Sequence, residues 1–197
     1  MNLKTGLIGG GSWGTTVASL VARHAPITLW ARDQGTVDEI NSEHTNRKFL
    51  PDATLPEHLL ATSDIEEAVV MKDVIIMGIP SQSFRRVLEK VKPHIRPWVP
   101  IISLSKGLEL STGKRMTEII NEVLPGHPAG VLTGPNLARE IMSGYAAASV
   151  IAMEDEVIVR ELQKLFHSGL FRVYTNDDVI GCELGGVLKN IIAIAAG

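Results

Sequence analysis

The sequence predicts an α/β fold in which helices cover both faces of a doubly wound, mostly parallel sheet. Short β-branched runs alternate with longer helical patterns, which is typical of parallel strands joined by helical crossovers. The first apolar run, residues 3–8, stops at Gly9, Gly11 and Gly14, and a helical stretch follows directly. Glycines at this spacing between a strand and a helix form the dinucleotide-binding fingerprint. The expected fold is therefore Rossmann-like.

The remaining elements follow from hydrophobic periodicity and from the positions of proline and glycine. Strands are predicted at residues 3–8, 27–30, 74–79, 99–103, 129–132, 147–153 and 171–174. Helices are predicted at residues 13–24, 37–43, 81–91, 114–123 and 156–166. The continuous apolar character of residues 74–79 suits a central strand that is covered on both faces. Residues 46–52 interrupt the alternation and are predicted to form a loop.

The last helix, residues 183–197, is apolar almost all round apart from Glu183, Lys189 and Asn190. Such a helix needs protein on several sides. Gly197 as a helix C-cap is the simpler interpretation. We favour a following helical domain that is absent from this chain. We therefore expect residues 1–178 to form the NAD(P)-binding domain and residues 179–197 to begin a truncated helical substrate domain, all-α in class.

Composition excludes several classes of function. The chain has 197 residues, with 19 basic and 22 acidic side chains and a net charge of −3, so charge alone implies no nucleic-acid partner. We expect no signal peptide and no membrane span. The single cysteine, Cys182, excludes an internal disulfide and suits the cytoplasm. The histidines show no metal-ligand spacing, so we expect no metal.

The glycine-rich segment indicates how a cofactor would bind. Gly9 permits the tight turn, Gly11 lets the backbone approach a pyrophosphate, and Gly14 lets the helix pack on the strand. The start of that helix offers free N–H groups to the phosphates. The second strand ends in Ala31-Arg32-Asp33, and an arginine there accommodates the 2′-phosphate of NADPH. We favour NADPH as cofactor, with Arg32 near the adenosine ribose; NADH and a solvated Arg32 stay open.

The chemistry is expected beyond the carboxyl ends of the strands. Lys106 follows one strand in a glycine-flanked loop, and residues 133–140 follow another, where Pro135 and Asn136 could start a helix. A lysine within an apolar helix is costly to bury unless its pKa falls. Burial and a nearby cation such as Lys106 would lower the pKa of Lys189 and suit it to general acid–base catalysis. Asn190 could orient an oxygen. The alternative is that Lys189 snorkels to the surface.

Together these segments resemble a known family, the NAD(P)-dependent sn-glycerol-3-phosphate dehydrogenases of the bacterial type. The resemblance covers essentially the whole chain and depends on several motifs in the right order. They are Gly9-Gly10-Gly11-Ser12-Trp13-Gly14, Leu29-Trp30-Ala31-Arg32-Asp33, Phe49-Leu50-Pro51, Ile79-Pro80-Ser81, Ser105-Lys106-Gly107-Leu108-Glu109, Thr133-Gly134-Pro135-Asn136-Leu137-Ala138 and Glu183-Leu184-Gly185-Gly186-Val187-Leu188-Lys189-Asn190.

The resemblance implies reversible reduction of dihydroxyacetone phosphate to sn-glycerol 3-phosphate, which feeds phospholipid synthesis. It implies a full-length homodimer, with this chain lacking the helical domain that grips the substrate phosphate. By position it assigns cofactor contacts to Ser12, Trp13, Arg32 and Ala138, substrate contacts to Gly134 and Asn136, both kinds of contact to Lys106, and catalysis to Lys189 with help from Lys106.

Three alternatives remain at this point. One is another two-domain dehydrogenase of the hydroxyacid or ketopantoate type. The second is a module that senses NAD(P) without chemistry, which a solvent-facing Lys189 would favour. The third and weakest is a purely structural α/β domain, which the absence of dinucleotide binding would support.

Overall fold

The computed structural model describes residues 3–197 and all their side chains except that of Asn190. The strands are β1 (Thr5–Ile8), β2 (Ile27–Trp30), β3 (Thr45–Asn46), β4 (Leu50–Thr54), β5 (Leu60–Thr62), β6 (Val74–Met77), β7 (Ile101–Ser103), β8 (Ala129–Thr133), β9 (Ala147–Met153) and β10 (Phe171–Asn176). The helices are α1 (Ser12–Ala22), α2 (Gln34–Glu43), α3 (Ile65–Val69), α4 (Ser81–Val91), α5 (Met116–Val123), α6 (Ala138–Met142), α7 (Glu156–Phe166) and α8 (Val179–Ala196).

Eight strands form one sheet in the order β10-β9-β8-β7-β6-β1-β2-β5. The pairs from β5 through β8 are parallel, β8 and β9 are antiparallel, and β10 is parallel to β9. Strand order reverses between β1 and β6, which is the topological switch point where doubly wound sheets bind ligands. The predicted fold class, a Rossmann-like and mostly parallel sheet, is confirmed.

The sheet separates two hydrophobic cores because successive residues of a strand point to opposite faces. In β1, Leu7 belongs to the core that contains Val17 of α1, whereas Ile8 belongs to the core that contains Phe84 of α4. Leu7, Ile8 and Phe84 are inaccessible to solvent. Burial of the central strands on both faces holds their carboxyl ends in fixed positions, and the candidate site lies at those ends.

Most predicted elements agree with the structure. The bounds predicted for β2, β9, α4 and α7 are confirmed, and the others differ by a few residues at one or both ends. The prediction of a loop at residues 46–52 holds only for the turn at residues 47–49, because β3 and β4 on either side of it pair as an antiparallel hairpin. β4 has a largely exposed surface, so it lacks the alternating pattern of a half-buried strand. β5 has three residues, too few to show any period, and it was not predicted.

Helix α8 packs on β8 and β9, and its remaining surface is apolar and open. Val179 lies in a small cluster with Val131 and Ala152. The exposed apolar side chains of the helix are Ile180, Leu184, Leu188, Ile191, Ile192 and Ile194. Within residues 3–197, no helix combines the length and hydropathy needed to cross a membrane. In the same residues, no cluster of three or more His, Cys, Asp and Glu side chains could bind a metal ion.

Candidate active site

The glycine-rich turn between β1 and α1 has the geometry that a pyrophosphate site needs. Gly9 has a φ of 130°, and a Cβ there would lie 2.2 Å from the Gly78 carbonyl oxygen. A Cβ on Gly14 would lie 1.9 Å from the Gly9 oxygen, so α1 can approach the turn only without that side chain. Around Gly11, by contrast, no atom lies within 4 Å of an added Cβ, and no side chain caps the N-terminus of α1. This space and the open helix end fit a bound pyrophosphate.

A buried asparagine supports the turn from the β3–β4 hairpin. The Asn46 amide nitrogen donates to the Gly10 carbonyl oxygen at 3.0 Å and to the Thr15 hydroxyl at 2.9 Å. Asn46 is inaccessible to solvent. The hairpin that sequence analysis took for a loop therefore fixes the position of the glycine turn. Asn46 is not recognisable as a site residue from the sequence, because nothing local to it shows that it contacts a segment 36 residues away.

The end of β2 presents cations, and its acidic residue is already engaged. Asp33 caps α2 by accepting hydrogen bonds from the backbone N–H and the hydroxyl of Thr36, at 3.0 and 2.8 Å. These bonds, with the nearby charges of Lys48 and Arg32, lower the pKa of Asp33. Arg32 and Lys48 are both exposed. Two exposed cations therefore lie near Asp33 at the end of β2.

Ser12 and Trp13 are the first two residues of α1, at the carboxyl end of β1. Both are partly exposed. The Trp13 ring packs against Phe171 at the start of β10, with ring centroids 6.5 Å apart and the planes tilted by 60°. This contact fixes the indole beside the glycine turn, where one surface of the residue remains accessible.

The loop after β7 holds Lys106 above the carboxyl end of the sheet. The Lys106 ammonium donates to the Gly134 carbonyl oxygen at 2.9 Å. Gly107 has a φ of 126°, and a Cβ there would lie 2.8 Å from the Ser81 hydroxyl oxygen. The Gln82 amide donates to the Leu108 carbonyl oxygen at 2.7 Å. The first turn of α4 thus fixes the loop on both sides of Lys106.

An ion pair anchors the same loop to α4. The Arg85 guanidinium donates to both carboxylate oxygens of Glu109 at 2.9 Å, and the Thr112 hydroxyl donates to one of them. These hydrogen bonds lower the pKa of Glu109 to about 2, and those from Arg85 have the largest effect. Bidentate pairing fixes orientation as well as distance. Glu109 therefore positions the Lys106 loop.

Lys106 lies against α8, about one helical turn before Lys189, where this helix passes the end of β8. A Cβ added to Gly186 would lie 3.1 Å from the Thr133 hydroxyl oxygen and 3.7 Å from Cγ of Lys106. Partial withdrawal of the Lys106 ammonium from water lowers its pKa, and the positive charge of Lys189 lowers it further. The structure therefore brings together two lysines that are 83 positions apart in the sequence.

The structure places Lys189 on the exposed surface of α8. The sequence left two interpretations open for this lysine, burial and a surface position, and the second is the one observed. An apolar helix sequence does not bury a side chain unless another element covers that side of the helix, and in residues 3–197 α8 contacts β8, β9 and, through Glu183, α5. The side chain of Asn190, the other residue predicted here, lies outside the described part of the structure.

The segment after β8 lies at the same end of the sheet and contacts Lys106 through Gly134. Asn136 donates its amide to the Ser149 hydroxyl, and a Cβ added to Gly134 would lie 2.8 Å from that amide nitrogen. The helix predicted to start at Pro135 or Asn136 begins instead at Ala138, because Leu137 has extended backbone angles and is the N-cap. Ala138 is therefore the first residue of α6, with no side-chain cap before it.

Sequence analysis gave no role to Glu183, which proves to be a buried carboxylate that joins α8 to α5. It accepts hydrogen bonds from the Arg115 guanidinium at 2.8 Å and from the Thr117 backbone N–H at 3.0 Å, and the Thr117 hydroxyl donates a third. The sequence does hold a signal: an acidic residue in an apolar helix needs a partner for the reason given for Lys189. The identity of that partner requires the fold.

Comparisons with known proteins agree with this geometry. A family model described as "NAD-dependent glycerol-3-phosphate dehydrogenase N-terminus" matches residues 4–159. The chain belongs to this family. Glycerol-3-phosphate dehydrogenase [NAD(P)+] 2 of Sphingopyxis alaskensis is 71% identical over 197 residues, which are 100% of this chain and 59% of that protein. Glycerol-3-phosphate dehydrogenase [NAD(P)+] of Mycobacterium avium is 53% identical over 195 residues, 98% of this chain and 57% of that protein.

A solved member of the glycerol-3-phosphate dehydrogenase family shares the architecture. The crystal structure of the enzyme from Coxiella burnetii superposes with a TM-score of 0.91 at 34% sequence identity, covering 98% of this chain and 60% of that one. The chain thus spans less than two thirds of the length of these relatives. The family is one of NAD(P)-dependent oxidoreductases, so a nicotinamide cofactor is the ligand to be accounted for.

Proposed function

We propose that the chain is the cofactor-binding part of an sn-glycerol-3-phosphate dehydrogenase that transfers hydride reversibly between NAD(P)H and dihydroxyacetone phosphate. Its product, sn-glycerol 3-phosphate, would serve phospholipid synthesis. One observation carries the proposal. Lys106 lies against the helix that holds Lys189, at the carboxyl end of the parallel strands, where the glycine turn also lies. Residues 1–178 would form the NAD(P)-binding domain, and residues 179–197 would begin the helical substrate domain.

The residues at this edge suit a dinucleotide. The turn at Gly9, Gly11 and Gly14 and the uncapped start of α1 would hold the pyrophosphate. Arg32 would contact the 2′-phosphate, which favours NADPH over NADH because Asp33 already caps α2. Ser12, Trp13 and Ala138 are the further cofactor contacts that we propose. When bound, a nicotinamide cofactor supplies the hydride; the chain's own residues supply binding, orientation and the proton.

The two ammonium groups account for the proton and for the developing charge. Reduction of a ketone leaves negative charge on its oxygen, and a preorganised cation stabilises that charge. Lys189 would donate a proton from its ammonium to this oxygen, and in the reverse direction the neutral amine would take the proton back. Lys106, held by the Gly134 oxygen, would keep a second positive charge beside the oxygen and the substrate phosphate. Gly134, Asn136 and Asn190 would line the substrate side.

Several properties of the longer protein belong to the same proposal. We propose a homodimer acting on a small phosphorylated substrate in the cytoplasm, a reducing compartment that suits the single Cys182. Substrate-phosphate contacts from a helical domain would contribute about 1.5–3 kcal/mol each. We therefore expect this chain to bind NADPH and to turn over far more slowly than a chain of its relatives' length.

A comparative assay tests the proposal. Reduction of dihydroxyacetone phosphate, ketopantoate and a simple 2-keto acid is followed with NADPH and with NADH, using this chain and a C-terminally extended one. We expect turnover of dihydroxyacetone phosphate by the extended chain, and loss of turnover with retained NADPH binding in Lys189→Met. Preference for a keto acid would refute the substrate.

The exposure of Lys189 favours one competing function, a module that senses NAD(P) without chemistry. The same assay separates the two. NADPH binding by both chains, with no turnover of any of the three ketones by the extended chain, would support the sensor and refute the dehydrogenase.

A further inference from the structure

Glu183 is a buried acidic group that the proposed reaction does not use. Only 7% of the residue is accessible, and its carboxylate faces three donors from two positions of one neighbouring element. Arg115 is the N-cap of α5, and Thr117 is in the first turn of that helix. The carboxylate therefore lies at the positive end of α5 and pairs with a guanidinium there. A buried charge with this many partners fixes geometry, because moving it away leaves the Glu183 carboxylate without its three donors, whereas Arg115 would keep its second partner, Glu118, at 3.3 Å.

The position of Glu183 along α8 connects it to the candidate site. Glu183, Gly186 and Lys189 are spaced at i, i+3 and i+6, so they follow one ridge of the helix over a rise of about 9 Å. Glu183 contacts α5, and Gly186 faces Thr133 and Lys106, to which an added Cβ would approach within 3.1 and 3.7 Å. Lys189 is one step further along, on the exposed part of the helix. The surroundings of Glu183 and Gly186 thus set where Lys189 lies.

We propose that Glu183 is a positioning residue, which fixes the height and rotation of α8 and so holds the Lys189 ammonium beside Lys106. The inference rests on the roles proposed above for the two lysines. A slip of one residue in α8 would turn the helix by about 100° and move it by about 1.5 Å. The backbone N–H of Thr117 cannot follow such a slip, because it belongs to a helix packed in the core.

The other contacts of α8 leave this role to Glu183. Asp178 caps the helix by accepting from Gly181, which fixes its start but not its rotation. Val179 and Cys182 pack against β8 and β9 through apolar contacts that tolerate sliding. Directional hydrogen bonds to a charge are stronger and more specific in geometry than such contacts.

The reactivity of Lys106 toward an amine-directed reagent tests the proposal without requiring turnover. Competitive acetylation of the whole chain across pH, resolved by peptide mass spectrometry, gives a labelling midpoint for Lys106. Lys189→Met should move that midpoint to higher pH, because it removes the neighbouring positive charge. Glu183→Gln keeps the size but removes the charge, and it should move the midpoint in the same direction by a comparable amount.

A matched carboxylate controls for general loss of stability. Asp73 accepts hydrogen bonds from the Lys4 backbone N–H at 2.9 Å and from Arg96 at 2.7 Å. It precedes β6, so it lies at the amino end of the parallel strands, opposite the candidate site. Asp73→Asn should lower the unfolding temperature and leave the Lys106 midpoint unchanged. Should Glu183→Gln fail to fold, Thr117→Val removes one donor to the carboxylate and should give a smaller shift in the same direction.

Two results would overturn the inference. One is a normal Lys106 midpoint in both Glu183→Gln and Thr117→Val when Lys189→Met shifts it. The other is an unchanged midpoint in Lys189→Met, which would mean that the ammonium groups are not neighbours. NADPH titration of each folded variant keeps the two proposals separate. Failure of the unmodified chain to bind NADPH would count against the proposed function, whereas the labelling result would still decide the role of Glu183.

Discussion

Substitution of Gly11 by alanine separates the folding role of the glycine turn from its ligand-binding role. Gly11 has a φ of −77° and a ψ of 178°, which is extended backbone open to any residue. An added Cβ meets no atom within 4 Å. The expected loss of stability is that of replacing glycine by alanine at a helix N-cap, about 1 kcal/mol or less. For a chain of this size, that lowers the unfolding temperature by only about 2–4 °C.

Binding should respond more strongly than folding. The methyl group would project into the space where a pyrophosphate approaches the backbone, and loss of one charge-assisted hydrogen bond there costs about 1.5–3 kcal/mol. Kd for NADPH, measured by isothermal titration calorimetry, should therefore rise about 10- to 100-fold. Gly14→Ala is the contrasting variant: its Cβ would lie 1.9 Å from the Gly9 oxygen, so stability and binding should both fall. An unchanged Kd in a folded Gly11→Ala variant would refute the assignment of the pyrophosphate to this turn.

Three further changes test other parts of the site. Arg32→Ala should raise Kd for NADPH about 10- to 100-fold and leave Kd for NADH unchanged, because only the former carries a 2′-phosphate; equal effects in calorimetry would contradict the assignment. Asn46→Ala removes both buried hydrogen bonds to the glycine turn and should cost about 1–3 kcal/mol in urea unfolding, with weaker NADPH binding. The pKa of Glu109 is lowered from 4.5 to about 2, so its carboxylate stabilises the fold above pH 4.5, and that contribution is lost as pH falls toward 2. Glu109→Gln should therefore be less stable than the unmodified chain at pH 6, with the difference shrinking between pH 4.5 and 2; a constant difference would show that the charge of Glu109 is not responsible.

The sequence was most informative where burial imposes a regular period. Helices α4 and α7 and strands β2 and β9 were predicted with their observed bounds, because each has a clear buried side. The hairpin of β3 and β4 escaped prediction because its residues are largely exposed and include Pro51. A strand that is held mainly by backbone hydrogen bonds leaves little trace in hydrophobic patterning.

The two lysines of the candidate site could be predicted from the sequence, whereas the side chains that hold the site in position could not. Lys106 and Lys189 were expected near each other, and in the structure the charge of Lys189 lowers the pKa of Lys106. The side chains that position the site, Asn46, Glu109 and Glu183, act through partners that are remote in sequence. Polar pairing of this kind depends on the arrangement of whole elements, so the sequence reveals at most that a buried polar group needs some partner. The sequence left the burial of Lys189 open for a related reason, since burial depends on what covers a helix.

The direction change between β8 and β9 decides which end of α8 reaches the crevice. β9 and β10 both run opposite to the other strands. The last residue of β10 therefore lies at the end of the sheet that is far from the glycine turn. The helix that follows must travel back along β8 and emerge beside Thr133. Had β9 continued the parallel series, α8 would have started at the crevice and carried its lysine away from it. A single antiparallel strand pair thus brings the lysine of α8 to the end of the sheet that also holds the glycine turn and the Lys106 loop.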